Sequence, residues 1–399
     1  MNLAYVSPLP PIPSGVADYS AVLLPHLRPY FSRVVAVVDG YVPQLPPGLV
    51  DQVSNIAADI DWWCGGRVVP LYHMGNHIQY HRTIYQALQR FPGVTVLHDG
   101  NLLPFVHEAT LARGERSTFV REAGLERGSA GVGAAWISLR RSEPLDLDEY
   151  PMLTRVARAS IGVIVHSQYL RCRLVERSPN TPVTVIPLLA MIPLDLKPVP
   201  RQDFKLSLGL DPEGLLIGAF GFIAPSKQLE PALKAFARLR ERFPGARFIC
   251  VGEISPGYNF GAILEQLSLE DAVHVTGHVS FDTFLRYLRA VDVGVNLRYP
   301  TWGEASASLS CLMACGVPTV VTDAGAFAEF PDDVVIKVPA GAGEVEAITV
   351  ALHKLLSDAD LRSVIGTAAR AFVADQCDPR AIARQYATFI RTVICTSSM

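Results

Sequence analysis

The sequence is poor in charge, which narrows the range of partners. Charged residues make up only 18% of the 399 residues, and the formal net charge is -3. Because the pI is near 6.4, there is no basic field to attract the backbone of a nucleic acid, and we expect no nucleic-acid partner. Hydrophobic residues reach 49%, which is typical of a globular protein and excludes long disordered tails.

The sequence also lacks the cysteine pattern of a secreted or zinc-binding protein. Its seven cysteines are odd in number and include no CxxC pair, which indicates reduced thiols and a cytoplasmic protein. Cys311 and Cys315 stand one helical turn apart, but no histidine or further cysteine nearby completes a tetrahedral site. We expect both to be buried small side chains, with no metal site and no cofactor. The other cysteines are Cys64, Cys172, Cys250, Cys377 and Cys395.

Signals for membrane insertion or secretion are missing as well. No apolar run reaches the roughly 18 residues that a membrane span needs, and the first residues include no basic region or cleavage site. We therefore expect no transmembrane segment. The stretches RCRLVER and RLRERF are modestly basic and are interpreted as solvated helix faces. Peripheral contact with a membrane and a homodimer stay open as alternatives.

What the sequence does contain is an alternation of short apolar runs with longer helical stretches, typical of parallel sheets covered on both faces. In the first half the predicted strands are Leu3–Val6, Val34–Val38, Val69–Tyr72, Val94–Leu97, Ile161–Val165 and Val183–Ile186. In the second half they are Leu215–Phe220, Arg247–Val251, Val273–Thr276, Val293–Leu297, Pro318–Val321 and Val334–Val338. The chain is longer than one hydrophobic core usually serves, so we predict two α/β domains.

The division between the domains is predicted from composition. The segment from Pro187 to Asp203 holds four prolines and has no consistent period, as expected of a linker. We predict a Rossmann-like domain over 1–190 and a second one over 205–375. Residues 376–399 are predicted to form a helix that packs back on the first domain. Two or three inserted helices are expected within 101–141, either shaping a pocket or adding packing around the sheet.

Open parallel sheets bind ligands beyond the carboxyl ends of their strands, so the loops that follow the strands are informative. In SPLPPIPSGVADYS, Gly15 precedes a helix whose first amides could face an anion, although ordinary turn chemistry is the alternative. VTVLHDG places His98 and Asp99 at the end of a buried strand, where a lone histidine is more often a packed side chain. The neighbouring loop adds further polar and small residues: His73, Gly75, Asn76 and His77.

Two loops of the second half are more specific. In AFGFIAPSKQLE, Gly221 lets the chain approach a ligand, and Lys227 is placed to neutralise a departing diphosphate, although a solvated lysine is the common case. In NLRYPTWGEASASLS, a glycine turn leads to Glu304 and then to a helix opening with Ser306 and Ser308. Free amides at that helix start suit a phosphate, and the carboxylate can accept hydrogen bonds from sugar hydroxyls or merely complement the helix dipole.

With these loops in view, the chain resembles glycosyltransferase family 4 over nearly its whole length. GFIAPSK resembles the family's glycine, arginine and lysine loop, and GEASASLSCLMACGVPTVVTD resembles its glutamate helix. TDAGAFAEF resembles the following loop, whose downstream glutamate is Glu329 here. In the first half, SGVADYS and VLHD stand at the places of the glycine loop and the active-site histidine.

The resemblance implies a GT-B fold, in which two Rossmann-like domains have parallel sheets facing across a cleft. It places the acceptor side, with an acceptor pocket shaped by the inserted helices, in domain 1–190 and the nucleotide-sugar donor side in domain 205–375. It also implies retaining, metal-independent transfer of a sugar from a UDP- or GDP-linked donor to a sugar, lipid-linked or small-molecule acceptor. Residue by residue, it gives His98, Lys227 and Glu304 the catalytic roles: contact with the donor sugar, with the phosphates and with the sugar hydroxyls. The implied donor-binding residues are Gly15, Gly75, Asn76, Gly221, Ala305, Ser306, Ala307, Ser308 and Glu329.

Two departures from the family pattern concern the donor site. Phe222 stands where members commonly have arginine after the glycine, and Cys311 stands near the place of the second glutamate, which usually binds the ribose. Two alternatives stay open beside a glycosyltransferase, and the departures motivate the second of them. One is a GT-B-fold nucleotide-sugar epimerase, and the other is a catalytically inactive relative that binds a partner.

Overall fold

A computed structural model describes residues 1–59, 68–196 and 200–397. Cys64, part of the predicted linker (197–199) and the last two residues of the predicted C-terminal helix (398–399) lie outside the described residues. The chain divides into two compact units. Unit 1 consists of Met1–Leu189, Trp302–Ala305 and Pro379–Met399, and unit 2 of Ala190–Thr301 and Ser306–Asp378.

Strands and helices alternate along most of the chain. The strands are β1 (Asn2–Val6), β2 (Arg33–Val38), β3 (Gln52–Asn55), β4 (Val68–Met74), β5 (Val94–Leu97), β6 (Gly162–Val165), β7 (Val183–Val185), β8 (Leu216–Phe220), β9 (Arg247–Val251), β10 (Val273–Val275), β11 (Val293–Asn296), β12 (Thr319–Thr322) and β13 (Ile336–Val338). The helices are α1 (Gly15–Leu27), α2 (Ile78–Arg90), α3 (Leu103–Thr110), α4 (Arg116–Arg141), α5 (Thr154–Ala159), α6 (Gln168–Arg177), α7 (Arg201–Ser207), α8 (Leu229–Leu239), α9 (Phe260–Gln266), α10 (Phe281–Ala290), α11 (Ala307–Ala314), α12 (Glu344–Ser357), α13 (Ala359–Gln376) and α14 (Pro379–Ser397).

Unit 1 is built on a parallel sheet in the order β3-β2-β1-β4-β5-β6-β7. β1 and β5 are buried along almost their entire length, as expected of central strands covered by helices on both faces. α14 packs on α1, and the hydroxyls of Tyr19 and Tyr386 lie 2.7 Å apart at this contact. α4 is interrupted by the non-helical backbone of Arg127 and Gly128, so the inserted region contains two α-helices, the second of which is kinked.

Unit 2 repeats the same winding in the order β10-β9-β8-β11-β12-β13, again with parallel pairings. Its largest contact between helices joins α8 and α12, which cover one face of the sheet. The core on that face includes Phe236, Phe248 and Leu352, all fully buried. α11 and α13 pack on each other beside the remaining core residues.

The prediction of an α/β chain with two parallel sheets is confirmed. Each strand predicted from the sequence has a counterpart in the structure, with ends that differ by at most two residues. β3 was not predicted, because QVSN is a mostly polar strand at the edge of its sheet. Within the described ranges, no helix is both long and apolar enough to cross a bilayer.

Candidate functional site

Both sheets change their winding direction at one place. In unit 1 the reversal lies between β1 and β4, and in unit 2 between β8 and β11, because these neighbouring strands lead to helices on opposite faces. Loops at the carboxyl ends of strands beside such a switch point diverge and leave a crevice for ligands. Most residues predicted from the sequence belong to these loops, whereas His98 and Glu329 follow the next strands of their sheets, β5 and β12.

In unit 1 the loop after β1 leads into α1 at Gly15. Ser14 caps the helix, because its hydroxyl accepts a hydrogen bond of 3.3 Å from the amide of Val16. A Cβ built on Gly15 would meet no atom of the described residues within 4 Å. Gly15 itself is exposed, and the space beside this helix start is unfilled, as an anion site requires.

His98 follows β5 and is partly buried, while His73 is the penultimate residue of β4 and is completely buried. Nδ1 of His73 and Nε2 of His98 are 3.1 Å apart and share a hydrogen bond. Burial, reinforced by neighbouring histidines, lowers the pKa of both rings well below the ordinary value. Both imidazoles are therefore neutral at physiological pH, so His98 can act as a hydrogen-bonding group without carrying charge.

The sequence analysis missed two members of this aromatic cluster. His166 follows β6, and its ring centroid lies 5.2 Å from that of His98. Tyr19 of α1 packs edge-on against His98 at 5.1 Å and also contacts His73 and His166. His166 could have been found by inspecting the loop after the predicted strand Ile161–Val165, whereas Tyr19 has no signal of its own in the sequence.

Gly75 and Asn76 have structural partners within unit 1. The amide of Asn76 donates a 2.8 Å hydrogen bond to Asp99, and its side-chain oxygen accepts one from Phe105 at the start of α3. A Cβ on Gly75 would come within 2.9 Å of the His81 ring. The two residues thus fix the loops after β4 and β5 against each other, and Asn76 uses its oxygen in that contact.

The short segment Trp302–Ala305 belongs to unit 1 although it lies far along the chain. The hydroxyl of Ser167 donates a 2.8 Å hydrogen bond to the carbonyl of Gly303. Gly303 has a φ of +91°, a conformation that favours glycine. Glu304 is only 9% exposed and accepts a 2.8 Å hydrogen bond from the amide of Trp302. The carboxylate is therefore held in place by its own turn.

In unit 2 the predicted phosphate loop lies at the switch point. Gly221 has a φ of +99° directly after β8, and Phe222 is 63% exposed. Lys227 ends a short 3₁₀ turn and lines a pocket together with Gly221, Phe222 and the end of β11, including Asn296. We call this the β8–β11 pocket. It brings together Gly221 and Lys227, which were predicted separately from the sequence of the same loop.

The start of α11 adjoins the same strand end. Ser306 caps α11 by accepting a 3.3 Å hydrogen bond from the amide of Leu309, and its hydroxyl lies 3.2 Å from that of Ser308. Asn296 donates a 2.9 Å hydrogen bond to the Ser308 hydroxyl and so ties the helix start to β11. The earlier amides of the first turn, including that of Ala307, have no carbonyl to accept them within the helix. The sequence analysis missed Asn296, which is the last residue of a buried strand.

Arg298 is a second residue that the sequence analysis missed. It follows β11, and its amide donates a 2.9 Å hydrogen bond to Thr322 at the end of β12. Arg298 therefore carries its guanidinium group from the loop at the carboxyl end of β11, two residues after Asn296. The signal was present in NLRYPT, where an arginine directly follows an apolar strand.

The remaining predicted positions have different surroundings. Cys311 is buried in the core of unit 2, and Cys315 is partly buried, so Cys311 alone fulfils the expectation of a fully buried side chain. Glu329 is exposed and ends a 3₁₀ turn that follows β12. Among the residues that the structure describes, no cluster of three or more histidine, cysteine or acidic side chains is arranged to hold a metal ion.

Comparisons with known proteins agree with this architecture. Residues 214–358 match a sequence model of the family described as glycosyl transferases group 1. A search of curated protein sequences found no match. Among solved structures, Alr3699/HepE from Anabaena in complex with UDP-glucose is similar with a TM-score of 0.69 and 16% identity, covering 98% of this chain and 100% of the other.

Two further structures are similar over comparable lengths. Sucrose-phosphate synthase from Thermosynechococcus elongatus has a TM-score of 0.68 and 16% identity, covering 99% of this chain and 100% of its own. WaaG, a glycosyltransferase involved in lipopolysaccharide biosynthesis, has a TM-score of 0.65 and 15% identity, covering 97% and 99%. The chain thus has the GT-B fold, and its residues 214–358 are similar in sequence to the glycosyl transferases group 1 family.

Proposed function

We propose that this protein is a glycosyltransferase that moves a sugar from a nucleotide diphosphate to an acceptor hydroxyl. The observation that supports it most directly is the position of Gly221 and Lys227 at the β8–β11 pocket, a small depression of about 10 Å³. Gly221 and Lys227 line this pocket at the switch point of unit 2, inside the segment that matches the glycosyl transferases group 1 model. A backbone that can approach closely, a lysine and a nearby helix start suit a diphosphate.

Lys227 is the proposed electrostatic catalyst. When the bond between the sugar and the diphosphate breaks, negative charge develops on the leaving oxygen, and an ammonium group close to it stabilises that charge. The first amides of α11 and the Ser306 and Ser308 hydroxyls would donate further hydrogen bonds to the phosphate oxygens. No metal ion is required by this arrangement, so we propose a metal-independent reaction without a cofactor.

Arg298 is the proposed replacement for the arginine that Phe222 displaces. Phe222 has no positive charge to offer, and its largely exposed ring leaves the phosphate loop with one cation fewer than the resembled family. Arg298 starts from the end of β11, the strand that forms the other wall of the β8–β11 pocket. A guanidinium at this edge could pair with a phosphate oxygen from the opposite side.

Contacts to the sugar are assigned to His98, Glu304 and Glu329. The neutral ring of His98 would donate a hydrogen bond to a hydroxyl near the reacting carbon. The carboxylate of Glu304, already held by the amide of Trp302, would accept hydrogen bonds from neighbouring hydroxyls. We propose retention of the anomeric configuration, with the acceptor oxygen bonding to the anomeric carbon on the face that the diphosphate leaves. The acceptor proton passes to an oxygen of the departing diphosphate.

The ribose is proposed to be bound without the second glutamate of the family pattern. Cys311 stands near that position and is 3% exposed within the core of unit 2, and burial raises the pKa of its thiol. It therefore offers no carboxylate to two ribose hydroxyls, and the phosphate contacts must supply a larger share of donor affinity.

A cavity of about 230 Å³ in unit 1 is the proposed acceptor site. It lies beyond the ends of β1 and β2 and is lined by Tyr41, Tyr80, Asp39 and Thr83 among others. Aromatic rings beside a carboxylate and a hydroxyl suit a sugar ring, which has apolar faces and polar edges.

Thermal shift with nucleotides and nucleotide sugars tests the proposal. Uridine, guanosine, adenosine and thymidine diphosphates and their sugars are compared, starting from UDP-glucose because the Anabaena protein was crystallised with it. The ligands with one of the four bases should raise the melting temperature of the protein more than the ligands with the other bases. A ligand that binds only the folded state stabilises it. NMR of the donor sugar without acceptor then separates the alternatives. An isomerised sugar would identify an epimerase, and no shift with any nucleotide at millimolar concentration would favour an inactive relative.

A further inference from the structure

Unit 2 has a second cavity, at the end of its sheet opposite to the β8–β11 pocket. Its volume is about 720 Å³, within the roughly 300–1,000 Å³ of small-molecule sites. We call it the arginine pocket; the residues of its lining used below are Arg201, Asp292, Arg362, Ser363, Thr367 and Arg370. Asp292 directly precedes β11, so the pocket opens at the amino ends of strands whose carboxyl ends form the β8–β11 pocket.

Each of the three guanidinium groups is held by main-chain carbonyls. Arg201 donates hydrogen bonds to the carbonyls of Val291 and Gly316, the second at 2.8 Å. Arg362 donates to Leu355 at 2.6 Å, and Arg370 to Leu196 at 3.2 Å. These bonds fix the side chains in position but do not neutralise their positive charges, because a carbonyl has no net charge. A guanidinium has five N–H donors, so each group retains donors for a further partner.

No carboxylate of the described residues lies within 4.0 Å of these three guanidinium groups. Asp292 is the one acidic residue of the lining, and it forms an ion pair with Lys205. The distance from Nζ of Lys205 to Oδ2 of Asp292 is 2.7 Å. The same oxygen accepts the amide of Leu216 at 2.8 Å. Burial lowers the pKa of Arg201, the Asp292 carboxylate partly offsets this effect, and the charge of Arg362 adds to the lowering. A positive cluster of this kind is relieved by an anion.

Helix α13 completes the donor set of the pocket. Ser363 and Thr367 are exposed on the pocket face of α13, four residues apart, and their hydroxyls stand between Arg362 and Arg370 along the helix. Gly366 allows this helix to approach the turn before β12, since a Cβ there would lie 2.2 Å from the carbonyl oxygen of Gly316. The lining of the arginine pocket therefore offers several hydrogen-bond donors, and its one carboxylate, that of Asp292, is already paired with Lys205.

We propose that the arginine pocket binds a phosphate group of a ligand other than the sugar donor, with Arg362 and Arg370 as its principal contacts. A phosphate oxygen accepts charge-assisted hydrogen bonds from guanidinium groups and from hydroxyls, the donors present here. The ligand is either a soluble phosphate compound or the headgroup of an anionic lipid, which share this chemistry. Because Arg201 bonds Val291 and Gly316, which precede β11 and β12, occupancy would stabilise the base of the sheet that supports the β8–β11 pocket.

Inorganic pyrophosphate is the first probe, measured by equilibrium dialysis at constant ionic strength. All proteins contain Lys227→Ala, which removes the lysine of the β8–β11 pocket and limits binding there. Arg370→Gln and Thr367→Glu change exposed side chains of the arginine pocket, the first removing a charge and the second adding a repulsive one. Arg242→Gln, at an exposed arginine of unit 2 that does not line the pocket, is the matched control.

We expect both pocket variants to weaken pyrophosphate binding by at least about tenfold, and the control to bind as its parent does. Flotation with phosphatidylcholine vesicles, with and without phosphatidylglycerol, tests the lipid source. Flotation that needs phosphatidylglycerol and is lost in the pocket variants supports the lipid headgroup, whereas loss of pyrophosphate binding alone supports a soluble ligand. If neither pyrophosphate binding nor flotation differs between the pocket variants and Arg242→Gln, the proposal is overturned. Circular dichroism of each variant verifies the fold.

Discussion

Nδ1 of His73 lies 3.1 Å from Nε2 of His98, and the other ring nitrogen of His73 is buried with no hydrogen-bond partner among the described residues. A buried N–H without an acceptor is rarer in proteins than a buried acceptor without a donor. We therefore expect the proton of His73 on Nδ1, from where it is donated to Nε2 of His98. The neutral ring of His98 then has its own proton on Nδ1, available to a ligand.

Variants of His73 test this tautomer. His73→Asn can place an amide N–H where Nδ1 stands, whereas His73→Leu removes the donor and keeps an apolar side chain. We expect nitrogen-15 NMR to report the Nδ1–H form of His98 in the parent and in His73→Asn, with a larger fall in kcat for His73→Leu. A parent spectrum showing Nε2–H at His98 would refute the assignment whatever the activities are.

Lys227→Ala should lower turnover by about 10²-fold or more, because an ammonium group near the leaving diphosphate stabilises charge that develops only in the transition state. The expected change is mainly in kcat, measured with the donor found by thermal shift. Lys234→Ala is the matched control: Lys234 lies on α8, half-exposed, in a 2.7 Å ion pair with Glu230. Equal rates for the two variants would remove Lys227 from the site.

The fold was predictable where the burial of a strand requires its residues to be apolar. Strands such as β5 and β12 are apolar along their whole length because helices cover both faces of each sheet, and such runs are recognisable without a structure. β3 lies at the edge of the unit 1 sheet, where one side meets solvent, so its residues QVSN give no comparable signal. Element types were therefore readable in the centre of each sheet and not at this edge.

The candidate site was predictable only one loop at a time. The rule that ligands bind beyond strand ends identified Lys227, His98 and Glu304 from their positions in the sequence. It could not identify the hydrogen bond from Ser167 to Gly303, because these residues are 136 positions apart and meet only in the folded unit. Nor could it distinguish a free polar group from an engaged one, and the Asn76 oxygen is engaged by the start of α3.

Glu304→Gln should weaken binding of the nucleotide sugar while leaving binding of the nucleotide diphosphate almost unchanged. The carboxylate is proposed to accept hydrogen bonds from sugar hydroxyls, and an amide replaces one acceptor oxygen by a donor. Calorimetric titration of the variant with both ligands measures the difference. Equal losses for the two ligands would place Glu304 at the phosphates or in the structure of the loop rather than at the sugar.

The stability of unit 1 should depend on pH through its buried histidines. Burial lowers the pKa of His81 to about 4, whereas the unfolded ring has a pKa of about 6.5. Between these values the unfolded chain binds a proton that the folded chain does not, so the free energy of unfolding falls as the pH drops through this window. The full slope is about 1.4 kcal/mol per pH unit for one histidine.

His81→Leu removes this titration, so urea denaturation between about pH 7 and pH 5 should show a shallower loss of stability in the variant. His81 is 2% exposed, so leucine substitutes one buried side chain for another. Loss of its hydrogen bond to the carbonyl of His77 would lower stability at every pH without changing the slope. An identical slope in parent and variant would contradict the lowered pKa.

Gly100→Ala tests whether the Trp302–Ala305 segment needs the small residue beneath it. A Cβ at Gly100 would lie 1.7 Å from the carbonyl oxygen of Trp302, so either the segment or the loop after β5 must move. We expect a loss of about 1–3 kcal/mol in stability and faster proteolysis near Trp302. Gly133→Ala is the control, because a Cβ there meets no atom of the described residues within 4 Å, and alanine favours the helix. Since Glu304 belongs to the displaced segment, Gly100→Ala should also weaken nucleotide-sugar binding. Unchanged stability and unchanged binding would contradict the prediction, because they would show that the loop after β5 accommodates the methyl group without strain.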